Sequence, residues 1–227
     1  MASVRPEARS RTSALRAKVL REAQPNDANH LNLLAHDLRT PLAAISMNLD
    51  FALSELPDQE YGPVRAALQD CKEANARAVR LVSDMANALR LSSGDHEPSL
   101  RDVSASKVVA SVVASASAGA ATRGVRIGWT SSDDLVRADA DLLECALDRV
   151  VQEAVRHANG SCHVDQRGGT FVIRAGTVAE SLDSARSSLS IVFAEAAIRA
   201  QRGRFAAETV AGELVYRVTL PTADRAR

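Results

Sequence analysis

The chain has 227 residues, 46% of them hydrophobic but only 3% aromatic, and its 28 basic and 28 acidic side chains leave no formal net charge. That length suffices for one large or two small domains with cores of their own, and the charge balance gives no support to nucleic-acid binding as the main role. The longest uncharged run, Val108 to Thr122, is 15 residues of mostly Ser, Ala, Val and Gly, short of the roughly 20 apolar residues that a membrane span needs.

Residues 1–26 are rich in Arg, Ser and Ala and read as a tail, with a short helix fitting Thr12 to Ala23 before Pro25 and Asn26 stop it. The arginines have no apolar core after them, so this is not a secretory signal. Asn26 or Asp27 can cap a helix over about 27–55, because short polar side chains accept bonds from its free N–H groups. Its apolar positions, Leu31, Ala35, Leu38, Leu42, Ile45, Leu49 and Ala52, alternate spacings of four and three, the seam of a bundled helix. Pro41 lacks a backbone N–H and crowds the preceding turn, which predicts a bend just after His36 without ending the seam.

Pro57, Gly62 and Pro63 mark a turn. A second helix then runs to about Leu91 with a seam of Val64, Leu68, Cys71, Ala78, Val82, Met85 and Leu89. Asn75 holds the remaining seam position, where it either fixes register or faces the edge. One antiparallel hairpin cannot bury its stripe on every side, so a homodimer forming a four-helix bundle is its natural completion.

Residues 94–99 are a polar linker between the hairpin at 27–93 and a second domain at 100–222, with 223–227 a tail. Within that domain a helix fits Ser104 to Ala121, and strands fit Val125 to Trp129 and Leu135 to Asp139. A helix fits Asp141 to Ala158, followed by a hairpin of His163–Asp165 and Thr170–Ala175 across Gly168-Gly169. A helix over Ser184 to Ala200 and a hairpin of Arg204–Thr209 with Glu213–Leu220 close it. The order predicts helices on one face of a mixed sheet, making the whole chain α+β. Cys71, Cys145 and Cys162 are scattered without metal-ligand spacing and read as reduced thiols of a cytoplasmic protein.

One stretch organises the rest: Ala35-His36-Asp37-Leu38-Arg39-Thr40-Pro41-Leu42. His36 lies beside the seam, so its ring projects to solvent, with Thr40 one turn further on the same face. An imidazole exposed on a rigid helix is a candidate nucleophile. The string resembles the phosphoacceptor motif of bacterial two-component histidine kinases, His-Glu/Asp-Leu-Arg-Thr-Pro-Leu, at every position from His36 to Leu42. The resemblance implies that His36 carries the phosphoryl group and Asp37 assists its imidazole. It also implies that Thr40 places water for dephosphorylating a response regulator, and that Pro41 kinks the helix.

Residues 100–222 resemble the family's ATP-binding domain in element order, but its nucleotide motifs are eroded. Glu153 stands where the resemblance calls for a magnesium-binding asparagine. Thr177 and Ala179 replace the adenine-recognising aspartate and its glycine. In Ala185-Arg186-Ser187-Ser188-Leu189-Ser190-Ile191-Val192 the phosphate-loop glycines have become Arg186 and Ser188, and side chains there block close backbone approach. His30, His96, His157 and His163 show no metal-like spacing and are assigned no role.

The expectation is a histidine phosphotransferase, with His36, Asp37 and Thr40 as site residues. It binds no cofactor or metal of its own, takes magnesium from the partner's site, and works as a cytoplasmic homodimer with response-regulator receiver domains. The alternatives are a divergent ATP-dependent kinase that autophosphorylates His36, a response-regulator phosphatase, and a non-enzymatic adaptor.

Overall fold

The computed structural model describes residues 25–57, 61–94, 97–176 and 188–222, with side chains from residue 35 onward. The expected tail helix within 1–24, the C-terminal tail 223–227, and Thr177, Ala179 and Ala185 to Ser187 lie outside the described residues.

Two long helices, α1 (Pro25–Glu55) and α2 (Gly62–Ser93), form an antiparallel hairpin. α1 begins at Pro25, so Asn26 and Asp27 lie in its first turn rather than at its cap; a proline is tolerated there because the first turn leaves its N–H groups unbonded. The helix runs unbroken through Pro41. α2 stops at Gly94, whose φ of 79° closes the last turn by an N–H bond to the Arg90 carbonyl. Asn75 is buried, and its Nδ2 donates to the Leu42 carbonyl at 2.9 Å and to Ser46 Oγ at 2.6 Å. It therefore fixes the register of the two helices from inside the seam. At the turn end Arg65 Nη1 donates to the carbonyls of Leu53 and Leu56.

The α/β part follows as β1 (Arg101–Ser104), α3 (Ala105–Ala121), β2 (Arg126–Thr130), β3 (Leu135–Ala138), α4 (Ala140–His157), β4 (Ser161–Arg167), β5 (Thr170–Ala175), α5 (Leu189–Ala200), β6 (Arg204–Val210) and β7 (Glu213–Thr219). Five strands make a mixed sheet ordered β2-β4-β5-β7-β6, in which only β2 and β4 run parallel. β1, too short to show a period in the sequence, pairs antiparallel with β3 in a separate ribbon. Alternation divides the main sheet into two faces. Cys162, Val164, Phe171, Ile173, Leu214, Tyr216 and Val218 join the buried core with the helices, whereas Asp165, Arg174, Glu208 and Arg217 pair on the other face. The three cysteines are free thiols, and burial pushes that of Cys162 up to about 12.

The two parts share a helix. Ala88 of α2 belongs to the core of the α/β part, Leu91 packs against it, and α5 lies along α2. Asp139 caps α4 by accepting from Leu142 N and also receives the Ser99 N–H at 2.9 Å, which ties the connecting segment to the α/β part.

The β4–β5 turn tests how tightly the sheet is built. Gly168 has φ 58°, and a Cβ on Gly169 would collide with the Leu220 carbonyl oxygen. Gly169→Ala should therefore destabilise the α/β part by about 1–3 kcal/mol, measured by denaturant unfolding, although alanine is ordinarily the better residue.

Candidate functional site

His36 is held on α1 by a register that Asn75 and the buried Ala35 set, and its own side chain is 78% exposed. Asp37 is equally open, with Oδ1 3.6 Å from His36 Nδ1. A carboxylate beside Nδ1 leaves Nε2 on the far side of the ring. Thr40 and Pro41 are exposed one turn further on. The structure thus brings His36, Asp37 and Thr40 onto one solvent-facing stretch of helix.

Two sets of apolar side chains are exposed around this stretch. Leu38 and Ile45, two turns apart, are each nearly half exposed beside the hairpin seam, as is Val64 of α2. Met47 and Phe51 are more than two-thirds exposed, and lie about three turns beyond His36 and Thr40 respectively, on the same side of α1.

The second cluster surrounds Glu153 on α4. Its carboxylate is buried, paired with Arg156 Nη2 and 3.1 Å from Nε2 of His157, whose side chain is also buried. Tyr216 lies close by: burial pushes its hydroxyl up and the Glu153 charge adds to this. Among the described residues, Tyr216 Oη is the buried side-chain polar atom with no hydrogen-bond partner. Glu153 is therefore engaged internally. His157, given no role from sequence, is part of this buried network; the Glu-to-His step of one helical turn was the available signal.

A third group joins the two parts of the chain. Asp84 of α2 is 1% exposed, and Arg149 Nε of α4 donates to both of its oxygens, at 3.0 and 3.1 Å. Ser190, in the first turn of α5, donates to Asp84 Oδ2 at 3.1 Å, and Arg149 Nη1 reaches Asp148 at 2.9 Å. Burial pushes the Asp84 carboxyl up, against the opposing charge and hydrogen bonds of Arg149. The stretch expected to carry a phosphate loop thus ends in a helix whose first turn faces the hairpin. Sequence reading missed Asp84, Arg149 and Ser190; an acid between Val82 and Met85, on the side of α2 away from its seam, was the only hint.

Residues 28–96 match the His Kinase A (phospho-acceptor) domain. The chain is 31% identical over 134 residues to the sensor protein KdpD of Mycobacterium tuberculosis, which covers 56% of this chain but 15% of the relative's length. Full-length ShkA in complex with AMPPNP superposes with a TM-score of 0.65 at 20% identity, covering 86% of this chain and 46% of that one. The Acinetobacter baumannii histidine kinase AdeS gives 0.60 at 14% identity, covering 83% and 98%. At such identities the solved structures establish a shared fold, hairpin and α/β sheet together.

Two substitutions separate an exposed site from a structural one. Thermal unfolding of His36→Ala should match the parent within about 0.5 kcal/mol, since its side chain is in water. Asn75→Ala should lose about 1–3 kcal/mol, because Leu42 and Ser46 lose their shared buried donor.

Proposed function

We propose that this chain, whose residues 28–96 match the His Kinase A (phospho-acceptor) domain and whose fold is that of the histidine kinase AdeS, is a histidine phosphotransfer protein that works without ATP. The carrying observation is a contrast: His36 is open to a partner, while Glu153 is bound to Arg156 and His157.

In this reading His36 Nε2 attacks in line at the phosphorus of a receiver domain's aspartyl phosphate. The N–P bond forms as the acyl P–O bond breaks, and the aspartate leaves as a carboxylate. Asp37 steadies the Nδ1–H and the positive charge that builds on the ring. The reverse step delivers the phosphoryl group to a second receiver. The partner's acidic pocket supplies magnesium, so this chain contributes position and a nucleophile. Met47 and Phe51 offer the receiver an apolar footing on the His36 side. Leu38, Ile45 and Val64 are covered by a second copy in a four-helix bundle. No helix among the described residues is long and apolar enough to cross a membrane, and a cytoplasmic location with reduced thiols fits this role.

Thr40, exposed one turn from His36, supports a second activity, the placing of water for hydrolysis of the receiver's phosphate.

Labelled phospho-receiver and labelled ATP with magnesium, offered in parallel, test the proposal. Label should reach the wild-type chain from the receiver and not from ATP, and should vanish in His36→Ala. ATP-derived label that disappears in His36→Ala would instead establish a kinase. Thr40→Ala should slow receiver dephosphorylation about tenfold or more while leaving transfer to His36 intact.

A further inference from the structure

We infer that Asp84, Arg149 and Ser190 form an interdomain latch that pins the α/β part to the helical hairpin in one pose, level with His36. The position follows from the hairpin register. Asn75 bonds to Leu42 and Ser46. Moving along α2 from Asn75 to Asp84 corresponds, in an antiparallel pair, to moving back along α1 to about Ala35. Asp84 thus stands at the height of His36 but turns toward α4 and α5, leaving the His36 ring uncovered.

The chemistry makes the contact all-or-none. A carboxylate 1% exposed on a helix is tolerable only with its cation in place, since either partner left alone in the buried interface carries the full desolvation penalty. Arg149 is itself mostly buried, with a side chain 16% exposed, and Asp148 occupies its Nη1. Ser190 adds a donor from the first turn of α5, where the helix's free N–H groups also favour a negative charge. The neighbouring apolar contacts, such as those of Ala88 and Leu91, are non-directional and would allow sliding. A guanidinium whose Nε–H is shared by both carboxylate oxygens defines a direction and therefore a pose.

The latch does not depend on the phosphotransfer reading, and its test needs no phosphoryl group. The single tryptophan, Trp129, lies in β2 and reports the α/β part alone, whereas far-ultraviolet circular dichroism takes more than half of its helical signal, among the described residues, from the two long hairpin helices. In the wild-type full chain both signals should share one thermal midpoint. Asp84→Ala, although placed in the hairpin, should lower the Trp129 midpoint by roughly 4 °C or more and separate the two transitions. Arg149→Met should do the same, and the double variant should be no worse than the worse single one, because both remove one interaction. Ser190→Ala, a milder loss, should give a smaller separation and keeps the test decisive if Arg149→Met does not fold. Separate transitions in the wild type, unchanged Trp129 midpoints in the Asp84 and Ser190 variants, or additive losses in the double variant would each overturn the latch.

Discussion

A single helix has to satisfy two cores at once. Along one side, α2 meets α1 through Asn75, which bonds to Leu42 and Ser46. Near its C-terminal end Ala88 and Leu91 pass into the core of the α/β part. Helical geometry allows this because residues a third of a turn apart in angle point to different neighbours while sharing one rigid backbone. Any displacement of α2 relative to α1 therefore reaches the α/β part, and the register bond of Asn75 bears on both.

The acids at the centre of the molecule are spent on structure. Glu153 is paired with Arg156 and His157, and Asp84 with Arg149 and Ser190. A buried carboxylate needs both an opposite charge and hydrogen bonds for its remaining lone pairs, and each of these finds them within the chain. The acid beside His36 differs, for Asp37 is in water next to a ring that is itself in water. Burial thus separates carboxylates that hold the fold, such as Asp84 and Glu153, from those that stay in water, such as Asp37.

Much of this was legible in the residues. The four-three spacing of the hairpin and the alternation of β5 and β7 write a period into the sequence, and Gly168-Gly169 marks the turn between β4 and β5. β1 was not legible, because four residues with no buried alternation carry no period, and its identity comes from pairing with β3. The start of α1 fell at Pro25 rather than Asn26 or Asp27, since proline's fixed φ and missing N–H suit the first turn of a helix.

The sequence by itself determined the hairpin, the α+β order and the exposed His36-Asp37-Thr40 stretch, because local periodicity and short-range spacing carry that information. It left Asn75 undecided between register and edge, passed over His157, and offered no sign that Asp84 meets Arg149. Those outcomes needed the tertiary structure: a partner 33 or 65 positions away in the chain leaves no mark on its neighbours. Whether a polar side chain is solvated or buried with a partner is settled only when the two surfaces close and exclude water.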